Sequence, residues 1–317
     1  MFVGIRSACA EVARRSRFVT LNEDRLTAYA DSLPSETSEP VYDSVHHFSG
    51  SPEDTLAYIV TLDAVNFGSG YFPHLQKCSG MSGYFTVASA LKDHFDTHGP
   101  LGARALSKLR LEDCSRLFGQ DLADPVRAEL MQHFTRALND LGAYLSERFG
   151  GDFAALVESA EHSAERLALH LTEMPYFQDV ARYEGFSVPL YKRAQITASD
   201  LALAFDGAGY GYFTDLDKLT IFADNLVPHV LRLDGILRFD GNLVSRIRAG
   251  QLITPGSPEE VEIRAVALHA VERIVKVLQA RGEHKVTAQN LDVRLWNRGQ
   301  DPNYKAEPRH RTRTVYY

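Results

Sequence analysis

Apolar residues return every three or four positions along most of this chain, the spacing that sets one face of a helix against a core. Ala8–Arg17 and Glu23–Ser32 are short amphipathic stretches of this kind. Ser51-Pro52-Glu53-Asp54 combines an N-cap, a proline in the first turn and acid beside it, so a helix is expected to about Asn66. Thr86–His98 reads as helix up to Gly99, and Asp124-Pro125 opens a long helix ending at Gly150-Gly151. The pattern continues over Phe153–Thr172 until Pro175. Ser257-Pro258-Glu259-Glu260 is a capping-box signal for a further helix with Gly282 as its stop. A last helix is expected over Ala288–Asn297. Strand signals are few: Val41–Phe48 as an extended segment, and Arg182–Lys192 as a hairpin turning at Glu184-Gly185. The predicted class is mainly α with a few short strands. Residues 1–317 are expected to form one mainly helical unit, with two lobes (about 1–150 and 151–317) around a cleft as its variant.

One stretch combines helical spacing with a break. Thr214 followed by Asp217 resembles an N-cap, and Leu216, Leu219, Thr220 and Ala223 follow at helical intervals. Pro228 lies four residues beyond Asp224 and has no N–H for the Asp224 carbonyl, so the helix is expected to kink or end there. Asp224 sits among Phe222, Ala223, Leu226 and Val227. If that face is packed, its carboxyl is desolvated and its pKa rises, which makes it a candidate for chemistry. A helix-end aspartate satisfied by local hydrogen bonds is the plainer reading of the same residues.

Composition narrows the function classes. A net charge of −7 opposes general binding to a nucleic-acid backbone, though one anionic ligand in a local basic pocket is compatible with it. Three cysteines far apart, Cys9, Cys78 and Cys114, suggest neither a disulfide framework nor a zinc knuckle. The N-terminal residues lack a secretory h-region and no run spans a membrane, so a cytoplasmic protein is expected. The histidines, His46-His47 among them, form no motif of metal-ligand spacing, and neither a metal nor a cofactor is expected.

Other blocks depart from helical patterning. Asn66-Phe67-Gly68-Ser69-Gly70-Tyr71-Phe72 sets glycines between aromatics, so Phe67, Tyr71 and Phe72 could stack on a flat ligand; a packed turn after a helix explains the same glycines. Tyr191-Lys192-Arg193 puts two cations beside an aromatic, suited to a phosphate or simply solvated. Near the C-terminus, Arg309, Arg311 and Arg313 alternate before Val315-Tyr316-Tyr317 and would share one face of an extended segment, a tail expected to dock. His229, just after Pro228, completes the binding candidates.

Taken in order, several blocks resemble the queuosine salvage protein family, the queuosine 5′-phosphate N-glycosylase/hydrolases. They are Asp63-Ala64-Val65-Asn66-Phe67, Ser82-Gly83-Tyr84, Tyr191-Lys192-Arg193-Ala194-Gln195-Ile196, and Leu219-Thr220-Ile221-Phe222-Ala223-Asp224 with Val227-Pro228. Glu260-Val261-Glu262-Ile263-Arg264, Leu295-Trp296 and His310-Arg311-Thr312-Arg313 with Tyr316-Tyr317 continue the series. The resemblance implies a DNA-glycosylase-like helical fold and release of queuine from queuosine 5′-monophosphate, a free nucleotide. It implies that Asp224 is catalytic and that His47 (or its neighbour His46), Phe222, Asp224 and Asp292 recognise the base.

A carboxylate held against C1′ stabilises the positive charge that develops as an N-glycosidic bond breaks, and it can orient water. Queuine is a 7-deazaguanine, so no acid can expel it by protonating N7. Activation must come from hydrogen bonds elsewhere on the base, where Asp292 is suited to an amide-like edge or a cationic amine, or from the sugar side. Lys192 either holds the 5′-phosphate or positions Asp224. Two alternatives remain beside this reading: a non-catalytic base-binding module, and a nucleic-acid base glycosylase, which the net charge disfavours.

Overall fold

The structure, a computed structural model, describes residues 1–33 and 41–317. It is mainly helical, with two small antiparallel pairs of strands among the described residues. The chain divides into two units, each gathered from discontinuous segments: Met1–Pro40, Asp179–Lys192 and Asp217–Arg313 in one; Val41–Gln178, Arg193–Leu216 and Thr314–Tyr317 in the other.

The first unit is built on the Pro258–Ala280 helix. Ser257 caps it by accepting the Glu260 N–H, and Pro258 occupies the first turn, where no intrahelical donor is needed. Against it pack Phe2–Arg15, Glu23–Ser32, Val227–Leu233 and Ala288–Arg298. Three charged residues on this helix, Glu260, Glu262 and Arg264, are buried among Val261, Ile263, Ala265 and Val266. Glu262 explains its burial through its partners. One carboxylate oxygen accepts the N–H groups of Arg17, Phe18 and Val19 at 2.6–3.0 Å, and the other accepts the Tyr183 hydroxyl at 2.8 Å. Those bonds seat the strand Val19–Leu21, which pairs with Leu237–Phe239. The expected hairpin is present as Val180–Tyr183 paired with Phe186–Pro189 around Glu184-Gly185, both with positive φ.

The second unit is built on the Pro125–Phe149 helix, capped by Asp124 and stopped by left-handed Gly150, as its sequence predicts. Its buried face is mostly apolar and packs Pro52–Ala64, Ala103–Leu106, Leu111–Leu117 and Phe153–Glu158. Gly142 permits a close backbone approach: a Cβ there would lie 2.4 Å from the Ala103 carbonyl oxygen. Arg193 is 1% exposed, donates to the carbonyls of Asp63, Ala64, Tyr176 and Val315, and lies over the rings of Phe67 and Phe177. Gly68 N–H donates to the Tyr317 carbonyl at 3.0 Å, so the final residues dock as expected. His310, Thr312 and Thr314 are buried, which is the alternation of an extended segment.

Three expectations are corrected. Phe153–Thr172 is two helices, Phe153–Glu158 and Ala164–Leu171, because Glu161 and His162 adopt positive φ and Ser163 begins a new cap. Val41–Phe48 forms a turn about Asp43, whose carboxylate accepts Val45 N–H and whose carbonyl accepts His47 N–H. The stretch from Thr214 to Asp224 is not a helix beyond the single turn Leu216–Lys218. Thr214 bonds to the His162 carbonyl, and Asp215 accepts Ala164 N–H and the Ser163 hydroxyl. Pro228 accordingly starts the Val227–Leu233 helix rather than ending one.

Candidate active site

The segment leading to Asp224 has no intrahelical hydrogen bonds, so its backbone groups need partners from elsewhere. Two buried side chains supply them. Asp292, on the Ala288–Arg298 helix, accepts the Phe222 N–H at 2.9 Å. Arg264 donates from Nε to the Ala223 carbonyl at 2.8 Å. The next residue is Asp224, which is half-buried. Its Oδ1 accepts Leu226 N–H at 2.7 Å and, more weakly, Val227 N–H at 3.4 Å, leaving Oδ2 outside those bonds. Asp224 thereby satisfies donors at the start of the helix that carries Pro228.

Asp292 is the more deeply buried of the two carboxyls. Burial pushes its carboxyl up to about 7, and the charge of Asp224 adds to the rise. The Phe222 N–H bond and the Lys192 ammonium act in the opposite direction. Two carboxyls and one ammonium therefore share an electrostatic neighbourhood in which one acid holds its proton close to neutrality. Arg309 lies within electrostatic reach of Asp224 and adds a second cation.

Lys192 is 6% exposed and opens the Lys192–Ala204 helix. Its own N–H donates to Asp179 Oδ2 at 3.2 Å. The preceding Tyr191 has φ of 47°, a left-handed conformation unusual for a side chain of its size. Its N–H is taken, with that of Leu190, by the Asp179 carbonyl. His229 is buried and its pKa is depressed to about 4, chiefly by burial. Its Nε2–H donates to the Tyr304 carbonyl, so Nδ1 is the acceptor for Arg232. Both ring nitrogens are thus engaged within the protein.

Of the residues singled out from sequence, Phe222, Asp224, Asp292, Lys192 and His229 all belong to the first unit. His47, Phe67 and Tyr71 belong to the second. There, His47 Nδ1–H donates to the Asp43 carbonyl and Nε2 accepts the Tyr84 hydroxyl at 2.7 Å. Burial lowers the His47 pKa, favouring the neutral ring. His46 stacks on Phe85 with ring centroids 4.3 Å apart. Phe67 is buried edge-on to Phe134 and faces Arg193, while the Tyr71 hydroxyl donates to Glu129. Among the described residues, no group of three or more His, Cys, Asp or Glu is arranged to hold a metal ion, and no helix is long and apolar enough to cross a membrane.

Sequence reasoning assigns no role to Arg264 or Asp179. A signal exists for the first: charges at Glu260, Glu262 and Arg264 interrupt an apolar helix, and buried charge requires a specific partner. Asp179 carries no local signal, because its partners come from two separate stretches, Leu190–Lys192 and Arg264.

Comparison with known proteins agrees with the resemblance. The family model described as queuosine salvage protein matches residues 46–317. A queuosine 5′-phosphate N-glycosylase/hydrolase from Sphaerobacter thermophilus is 36% identical over 99% of this chain and 98% of its own length. Enzymes of the same name from Mus musculus and Dictyostelium discoideum are 30% and 34% identical, covering 98% and 84% of this chain and 98% and 79% of their own lengths. This chain belongs to the queuosine salvage protein family.

Proposed function

We propose that this protein hydrolyses the N-glycosidic bond of queuosine 5′-phosphate, releasing queuine and ribose 5-phosphate. The observation that carries the chemistry is the pairing of half-buried Asp224, one oxygen outside its backbone bonds, with buried Asp292 of raised pKa. In the proposed step the C1′–N bond breaks with its electron pair passing to the base. Asp224 stabilises the positive charge at C1′ and orients water. Water oxygen bonds to C1′, and a water proton is delivered to the base nitrogen. Asp292, holding its proton close to neutrality, donates to an acceptor on the base while Phe222 N–H fixes its other oxygen. This route needs no protonation at the carbon that replaces N7.

Lys192 serves the carboxyl pair as a counter-charge, consistent with its influence on Asp292. Phe222 lines the base site. His229 supports the turn around Pro228, since its nitrogens are already engaged. The net charge of −7 favours a free nucleotide over duplex nucleic acid, and a cytoplasmic setting follows from a salvage role.

The test is incubation of the purified chain with queuosine 5′-phosphate and chromatography of the products. Queuine and ribose 5-phosphate are expected in equal amounts. Queuine binding by the folded protein without release from the nucleotide would replace the enzyme with a base-binding module.

A further inference from the structure

We infer that the buried Arg264–Asp179 pair is a positioning device that sets the backbone beneath Asp224 and the backbone of Lys192 in fixed register; the inference rests on the hydrolase reading above. Arg264 is 2% exposed and uses all three guanidinium nitrogens. Nε holds the carbonyl of Ala223, the residue before Asp224. Nη1 and Nη2 make a fork on Asp179 at 2.9 and 2.6 Å. The Asp179 oxygen that takes Nη2 also accepts the Lys192 N–H. Between the Asp224 peptide and the Lys192 peptide there are thus two buried side chains and no exposed link.

The arrangement also accounts for Tyr191. Its left-handed backbone costs free energy and persists only where its surroundings hold it. Here the Asp179 carbonyl takes its N–H while the Asp179 side chain takes the next one. Glu260 lies 3.6 Å from Arg264 Nη1 and adds negative charge without replacing either bond. A lysine at 264 keeps the charge but can satisfy the carbonyl or the carboxylate, not both through a planar fork.

The experiment compares the unmodified full chain with Arg264→Lys and Asp179→Asn, measuring folding by circular dichroism and kcat and KM on queuosine 5′-phosphate. Misplacing a reacting group by about 1 Å costs about 100-fold in rate, so kcat is expected to fall by about that factor with KM within about threefold. A role confined to the fold would lower the melting temperature and leave kcat intact in variants that remain folded at the assay temperature. A folded Arg264→Lys protein with kcat within about threefold of the unmodified chain overturns the inference while leaving the hydrolase reading standing. If Arg264→Lys does not fold, Asp179→Asn decides by the same criterion. If neither folds, the pair serves the fold alone and the inference is withdrawn. An unmodified, folded chain that releases no queuine removes the hydrolase reading and this inference with it.

Discussion

The two long helices at the centres of the two units begin alike and bury different things. Pro125–Phe149 and Pro258–Ala280 each start with a capping side chain followed by proline. The first then buries Leu130, Met131, Phe134, Leu138 and Leu141 against other helices, with Gly142 making room for the backbone at Ala103. The second buries Glu260, Glu262 and Arg264, whose partners are mostly backbone groups of non-helical chain. Helices satisfy their own peptide groups and ask only for apolar cover. Irregular backbone must borrow donors and acceptors, and buried charges lend them. Asp224 directly follows such a borrowed stretch, Phe222-Ala223.

The sharpest way to break this contrast is at the carboxylate itself. Asp224→Asn keeps the Oδ1 acceptor for Leu226 N–H, so the fold is expected to survive. Turnover of queuosine 5′-phosphate should fall by at least about 100-fold, read as kcat under saturating substrate, because the charge facing C1′ is gone. A rate near that of the unmodified enzyme would remove Asp224 from the reaction. Next in size, Glu262→Ala leaves three backbone N–H groups without their acceptor and the Tyr183 hydroxyl with only the longer bond to the Arg15 carbonyl. A loss on the order of 3 kcal/mol is expected in urea unfolding. A loss as small as that of a surface substitution would mean that water takes over those donors, and the contrast would weaken.

The smallest effect is a change of slope with pH. Asp292 has a folded pKa of about 7, above its unfolded value, so between about pH 4 and 7 the folded chain holds a proton that the unfolded chain releases. Its contribution to stability is therefore most favourable below that window and declines as pH rises through it. Asp292→Asn keeps the acceptor for Phe222 N–H but cannot titrate, so its urea midpoint should decline less from pH 5 to pH 8 than that of the unmodified chain. Parallel curves would show that burial at this position costs the carboxylate little.

Short-range signals are legible in the residues themselves. Ser51-Pro52, Asp124-Pro125, Ser257-Pro258 and Glu184-Gly185 encode caps and a turn within a few residues, and each forms as expected. The family is legible as well, because its blocks keep their order along the chain. The segment before Asp224 is not, since helical spacing of its apolar residues is outvoted by partners 41 and 70 residues away. The break at Glu161-His162 is hidden for another reason: neither residue is glycine, so their left-handed φ leaves no mark in the sequence. Discontinuous units, too, are invisible to composition read along the chain.

The three N–H groups held by Glu262 lie 243 to 245 residues before it, and the strand they seat pairs with Leu237–Phe239. As the chain leaves the ribosome, that early strand has no partner until most of the polypeptide has been made. The helical second unit can instead gather Pro52–Ala64 against Pro125–Phe149 much sooner. A nascent chain should therefore hold a packed helical nucleus of the second unit, still without its Thr314–Tyr317 segment, while the apolar faces of Phe2–Arg15 and Glu23–Ser32 wait uncovered, the period in which a chaperone would matter most.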